Sequence, residues 1–252
     1  MELNKVYNMD CLIGMQDIPD KSIDMILCDL PYGTTQNKWD VVIPFDPLWK
    51  QYERIIKGNG AIVLTSTQPF ASDLVISKKE LFRYDIVWDK INTVGHLNCN
   101  RMPMRRHELI LVFYKGLPTY NPQKKYTGTK YHSKGKTKEN VGGSNYGFAK
   151  PIDNRDINAG FKYPDSILSF TKDANSIVLH PTQKPVALFE YLIKTYTNEG
   201  ETVLDNCMGS GTAAIACINT DRNYIGFEKE EKYFNIIQER IKNHTPQLKL
   251  AV

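Results

Sequence analysis

Short apolar runs of strand length alternate with segments of helical period along most of this chain, and that alternation limits its fold more than any other feature. The runs are residues 22–28 (SIDMILC), 61–66 (AIVLTS), 82–88 (FRYDIVW), 108–114 (ELILVFY), 202–205 (TVLD) and 223–227 (NYIGF). Each is bounded by turn residues and rich in Ile, Val and Leu, as strands covered on both faces are. Between them, residues 47–57 (PLWKQYERIIK) predict an amphipathic helix stopped by Gly58-Asn59-Gly60, and residues 185–196 (PVALFEYLIKTY) a helix opened by proline in its first turn. Residues 211–220 and 230–242 predict two more helices, each directly after a strand. The expected fold class is α/β, doubly wound around a mainly parallel sheet.

Residues 115–164 differ in kind, being polar and rich in Lys, Tyr, Gly and Asn with no sustained period. A stretch of that length inside a compact domain is usually functional or disordered. The chain of 252 residues therefore divides into 1–114, an irregular insertion at 115–164, and 165–252. A net charge of +4 permits a polyanionic partner without demanding one. Cys11, Cys28, Cys99, Cys207 and Cys217 lack paired CxxC spacing, which argues against a disulfide framework and a zinc site, so no metal is expected. Scattered cysteines fit a reducing cytoplasmic setting, and no run approaches the roughly 20 apolar residues of a membrane span.

The first motif with chemical content is Asp29-Leu30-Pro31-Tyr32-Gly33, at the carboxyl end of the strand SIDMILC, the edge at which open α/β sheets bind ligands. Such a bend suits an exocyclic amino nitrogen of a base, a poor nucleophile until acceptors engage its two hydrogens. The Asp29 carboxylate and the Leu30 carbonyl are the acceptors, Pro31 stiffens the turn, and Tyr32 offers a stacking face. An ordinary strand-end turn can carry the same letters, and alone would be the better bet.

The second motif is Val203 to Thr212 (VLDNCMGSGT): an apolar strand, Asp205 at its end, then a small-residue turn opening a helix. Gly209 and Gly211 let backbone approach a ligand closely. The turn matches neither G-x-G-x-x-G nor a P-loop, which weakens a diphosphate reading. Downstream, Glu228 ends the strand NYIGF where an acid pairs with ribose hydroxyls, although a solvated first-turn Glu is equally compatible with this segment.

Together with the intervening His180-Pro181-Thr182-Gln183-Lys184-Pro185, these motifs resemble the D-P-P-Y family of amino DNA methyltransferases, which act on adenine N6 or cytosine N4. The order, catalytic bend first and glycine turn last with the insertion between, resembles the β group, a circular permutation of the S-adenosylmethionine-dependent methyltransferase fold. The resemblance covers all but the insertion. It implies S-adenosylmethionine as cofactor, with Asp10 and Cys11 near its adenine, Thr182 and Lys184 near its methionine end, and Asp205, Gly209, Gly211, Thr212 and Glu228 completing the site. It implies Asp29, Leu30, Pro31 and Tyr32 as catalytic residues, and a DNA-associated enzyme of a bacterial or phage-infected cell. Aspartate at position 29 is typical of the adenine enzymes, where cytosine ones often carry serine. Two departures stand out: Leu30 replaces the first proline of D-P-P-Y, and Asp205-Asn206-Cys207 replaces the usual D-P-F.

A base inside a duplex must be flipped out, so something basic has to hold the backbone. Lys124, Lys125, Lys130, Lys134, Lys136 and Lys138, interleaved with Tyr120, Tyr126, Tyr131 and His132, have a composition suited to phosphate and groove contacts; a solvated lysine-rich loop has the same composition. Arg101, Arg105 and Arg106 carry no individual weight, and Trp39 and Asp40 lie in the loop after the bend, with Trp39 expected to pack. The expected function is methylation of adenine N6 in double-stranded DNA, within a restriction-modification setting. N4-cytosine methylation, glutamine methylation in a protein, and a DNA-binding relative without turnover are the alternatives. The resemblance also leaves room for a homodimer and for a cognate restriction endonuclease.

Overall fold

The structure is a computed structural model, and it describes residues 1–128, 160–171 and 183–244. Two compact units are distinguished, Met1–Asn121 with Ser166–Val252, and Pro122–Asp165. In chain order the elements are β1 (Lys5–Tyr7), α1 (Cys11–Gly14), β2 (Ile23–Asp29), α2 (Phe45–Ile55), β3 (Ile56–Ser66), α3 (Phe70–Ser77), β4 (Phe82–Val94), β5 (Arg105–Phe113), β6 (Lys125–Tyr126), β7 (Phe161–Lys162), β8 (Ile167–Ser169), α4 (Val186–Tyr196), β9 (Thr202–Asp205), α5 (Thr212–Asn219), β10 (Asn223–Phe227) and α6 (Glu231–Lys242).

The larger unit is built on an eight-stranded sheet of order β1-β10-β9-β2-β3-β5-β4-β8. Every pairing is parallel except those of β5, which runs antiparallel to both β3 and β4. The mainly parallel, doubly wound sheet expected from the apolar runs is therefore present, with one reversed strand. Alternate residues of the central strands face opposite layers, as the period of two requires. Met25, Leu27 and Val63 pack with Leu188, Leu192 and Tyr196 of α4 and Ala213 and Ala216 of α5. Ile26, Cys28, Ile62 and Leu64 pack with Trp49 and Tyr52 of α2 and Phe70 and Leu74 of α3. Both faces of the sheet are covered, so the strands carry apolar runs rather than alternating polar residues.

The smaller unit holds the antiparallel pair β6 and β7, joined through Lys125 with Lys162 and Tyr126 with Phe161. The Lys124 ammonium lies 4.9 Å from the centre of the Tyr163 ring, and Lys125 is exposed. Lys130, Lys134, Lys136 and Lys138, with Tyr131 and His132, lie outside the described residues.

Six short elements, β1, α1, α3, β6, β7 and β8, escaped the sequence pattern. β1 and β8 have three residues each, too few to show a period, and they add to the two edges of the sheet through backbone pairing. α3 has eight residues, as α5 has, but lacks the strand and glycine turn that announce α5. A further difference is at Gly58-Asn59-Gly60, expected as the stop after a helix: these residues lie within β3, whose pairing with β2 shifts register between Ile23 and Met25. α2 ends at Ile55 and the chain turns straight into strand.

Asp24, buried near the start of β2, ties three strands together. Its Oδ1 accepts from Lys57 Nζ of β3 at 2.7 Å and its Oδ2 from the backbone N–H of Thr202 in β9 at 3.0 Å. Asp24→Ala leaves that N–H without its acceptor and the ammonium without its partner. A loss of about 1–3 kcal/mol in stability is expected, read by urea denaturation; an unchanged midpoint would show that the tie contributes nothing.

Candidate active site

The chain leaves β2 for β3 on one side of the sheet and leaves β9 for β10 on the other, while β2 and β9 are themselves neighbours. The crevice beyond their carboxyl ends is thus a topological switch point, where open α/β sheets hold ligands. The 29–32 bend leaves β2 there and the 205–212 turn leaves β9 there. One cleft of about 660 Å³ is lined by both, including Asp10, Asp29, Tyr32, Lys184, Gly209 and Glu228. That volume lies within the range of small-molecule sites.

Asp29 is held from three sides. Its Oδ1 accepts from the Tyr32 hydroxyl and from Thr65 Oγ1 of β3, each at 2.5 Å, and its Oδ2 from Lys184 Nζ at 2.6 Å. Lys184 also pairs with Glu108 of β5 at 3.3 Å, and Glu108 with Lys90 of β4 at 3.0 Å. The four charges sum to zero in a partly buried line. Burial disfavours the Lys184 ammonium, but Asp29 and Glu108 outweigh it and hold its pKa above the ordinary value. Burial likewise opposes the Glu108 carboxylate, and the two lysines outweigh that, keeping it below the usual range. Burial, then the charge of Asp29, pushes the Tyr32 phenol well up, so Tyr32 stays a donor. Its ring leans on Phe70 at 5.2 Å.

The loop after the bend is pinned by Asp40, which accepts from the backbone N–H groups of Gly33, Thr34 and Thr35 at 2.9, 3.0 and 2.7 Å. Burial works against the Asp40 charge, and these bonds overcome it, lowering its pKa. Trp39 meets Tyr233 edge-on at 6.4 Å on the wall of the cleft, the packing role expected of it.

On the other side, Gly209 and Gly211 adopt φ of 54° and 80°, a region costly to residues with a Cβ. Glu228 at the end of β10 accepts from Gly209 N–H at 2.7 Å through Oε2 and from Glu230 N–H at 2.9 Å through Oε1, so each oxygen keeps acceptor capacity. Asp10 caps α1 by accepting from Leu12 N–H at 2.9 Å and lies 3.4 Å from Lys229 Nζ. Cys11 and Thr212 also line the cleft. A glycine turn with approachable backbone, a carboxylate at the end of the next strand and an acid beside them fit a nucleoside carrying an amino-acid tail.

Most of the candidate residues converge, and the structure adds Thr65, Lys90 and Glu108, which belong to no motif. Glu108 lies within β5 where its apolar run begins, and an acid at that boundary is its sole signal. Thr182 lies outside the described residues. Lys184, which the resemblance sets beside the cofactor's methionine end, has its ammonium on Asp29 and Glu108. Leu30 buries its side chain in the core, which anchors the bend in place of proline's ring. Asn206, in the position of the second departure, accepts from the buried Tyr52 hydroxyl at 2.5 Å and donates to the sulfurs of Cys11 and Cys207 at 3.6 and 3.5 Å.

Burial raises Asp205 from 3.8 to about 7. Folding therefore favours its protonated form: the stability it contributes is complete below its unfolded value and is lost as pH rises through about 7. Asp205→Asn keeps an oxygen for the Cys207 N–H and removes the titration, so its Tm is expected to fall less than that of the parent between about pH 4 and pH 8. Parallel Tm profiles for the two proteins would contradict this.

A family model described as DNA methylase matches residues 23–239. The type II methyltransferase M2.MboI of Moraxella bovis is 26% identical over 277 residues, spanning 97% of this chain and 89% of that protein. Among solved structures, the complex of M1.HpyAVI with SAM is 24% identical with a TM-score of 0.65, covering 94% of this chain and 98% of that one. The PvuII DNA methyltransferase, described as cytosine-N4-specific, is 14% identical with a TM-score of 0.63, covering 98% and 95%. These two likenesses speak for the fold. The matched region contains both bends that line the cleft, and the chain belongs to the DNA methylase family, the amino-methyltransferases of DNA that draw their methyl group from S-adenosylmethionine.

Proposed function

We propose that this chain methylates the N6 amino group of adenine in double-stranded DNA, with the flipped base against the 29–32 bend and the cofactor along the 205–212 turn. The observation that carries this is the single cleft into which both bends open. Preference for adenine over cytosine rests on aspartate at position 29, the residue typical of the adenine enzymes the chain resembles.

Geometry around Asp29 supports its role as acceptor. A carboxylate oxygen has about two acceptor positions. Oδ1 uses both, on Tyr32 and Thr65, and Oδ2 uses one, on Lys184. The remaining position on Oδ2 takes one amino hydrogen of the base, and the Leu30 carbonyl takes the other, so the nitrogen lone pair is freed from the ring. When bound, S-adenosylmethionine supplies an electrophilic methyl group on a sulfonium. Asp29 then receives the proton that the amino nitrogen sheds on gaining a fourth substituent. Lys184 is a positioning residue: it fixes the direction of Oδ2, and Glu108 and Lys90 fix Lys184. Tyr32, which lines the cleft, is assigned to stacking with the base while its hydroxyl stays on Asp29. Glu228 is assigned to the ribose and Asp10 with Cys11 to the adenine end. Lys124 and Lys125, with Lys130, Lys134 and Lys136, are assigned to DNA phosphates.

Incubation with radiolabelled S-adenosylmethionine and mixed-sequence DNA, followed by nucleoside analysis, is expected to give N6-methyladenine. Label in N4-methylcytosine would overturn the adenine assignment, and label only in protein, or none, would overturn acceptor and activity. Asp29→Ala is expected to abolish turnover with cofactor binding largely intact by calorimetry; near-normal kcat would remove Asp29 from its role. Lys184→Met is expected to lower kcat by roughly 10- to 100-fold, the scale of a small misplacement, with KM for the cofactor nearly unchanged. A rise in that KM at constant kcat would instead return Lys184 to the cofactor's carboxylate.

A further inference from the structure

β4 and β5 run on past the cleft as a hairpin whose tip the catalytic reading does not use. The two strands pair from Phe82 with Phe113 out to Val94 with Arg105. At mid-length Arg106 grips Asp89 through two bonds of 2.7 and 2.8 Å. The tip is an ordered structure: Gly95 turns at φ 98°, residues His96–Asn98 form a short 3-10 helix, and the N–H groups of both Arg101 and Met102 bond the Asn98 carbonyl. Yet its apolar side chains point to water. Leu97 is 100% exposed, Met102 56%, Ile91 44% and Val94 37%.

Single exposed apolar residues are ordinary, but four on one hairpin mark a contact surface. Charge says with what. From Asp89 to Glu108 there are four cationic side chains, Lys90, Arg101, Arg105 and Arg106, of which Asp89 neutralises Arg106 and Glu108 neutralises the buried Lys90. Arg101 and Arg105 have no ion-pair partner among the described residues. Position decides between anionic surfaces: Lys90, Val94, Arg105 and His107, on the paired stretch of the hairpin that leads up to its tip, line the same cleft as Asp29 and Tyr32. A substrate bound in that cleft therefore lies beside the hairpin. An apolar point flanked by arginines matches a base stack flanked by phosphates.

We infer that this hairpin is a DNA wedge: Leu97, supported by Met102, enters the base stack where the target nucleotide leaves it, and Arg101 and Arg105 hold the adjoining phosphates. The inference rests on DNA methylation as the activity of the cleft. Opening a base step costs a few kcal/mol, and a side chain that fills the gap offsets part of it.

The test uses the full chain. The motif methylated by the parent protein is read by sequencing for modified bases, and duplexes are made with the target base either paired or mismatched. No modified base at all would defeat the activity, and with it the inference, before any variant is compared. Leu97→Ser is expected to slow methylation of the paired duplex about 10- to 100-fold, with cofactor affinity unchanged, and to recover to near the parent rate on the mismatched duplex, which has little stacking to open. Equal rates for variant and parent on the paired duplex, or the same loss on both duplexes, would overturn the wedge. Arg101→Gln with Arg105→Gln is expected to weaken binding of both duplexes and to flatten its salt dependence; unchanged salt dependence would remove the arginines from the phosphates.

Discussion

A partly buried ammonium, Lys184, lies 2.6 Å from the carboxylate of Asp29, and the working edge of the sheet is organised around that pair. Asp29 ends β2, Lys184 precedes α4, and Glu108 and Lys90 come from β5 and β4, so four separate elements converge on one line of alternating charge. Each charge is tolerable because its neighbour is present; removal of one partner from such a pair typically costs about 3–5 kcal/mol, since the other is left uncompensated. The same line directs the carboxylate. With three of its acceptor positions taken, Asp29 keeps one direction in which to receive a hydrogen, the position that the proposed function gives to an amino group.

The two departures from the family pattern have local compensation. Proline would stiffen the second position of the bend through its ring; Leu30 stiffens it through burial in the core under α2 and α3. Asn206 replaces a proline beside the cofactor turn and makes a buried polar knot with Tyr52, Cys11 and Cys207. A buried amide needs such partners, and here a helix on one face of the sheet supplies the hydroxyl. The glycine turn keeps its geometry: the Met208 N–H bonds the Phe227 carbonyl and Gly209 bonds Glu228, tying the ends of β9 and β10.

Much of the architecture was legible in advance. Six apolar runs became six strands, because a strand covered on both faces must be apolar throughout and so advertises itself. Four longer helical segments were also visible. The missing pieces were β1, α1, α3, β6, β7 and β8, whose stability comes from pairing or packing with distant residues and leaves no period in so few positions. In the site, Asp29, Tyr32, Gly209 and Glu228 could be named from motifs because each sits at a fixed offset from a strand end. Lys90, Glu108 and Thr65 could not, since their relevance depends on which strand lies beside which.

The sequence by itself determined the layered α/β fold, the two ligand-facing bends and their order along the chain, because apolar period and strand-end chemistry are local properties. Tertiary structure alone decided that β2 and β9, whose paired residues are 178 positions apart in the chain, lie side by side, and that Lys184 meets Asp29 rather than solvent. Strand order is chosen by the packing of both helical layers at once, and charges pair only where that packing brings them within a few ångströms in a region water cannot screen.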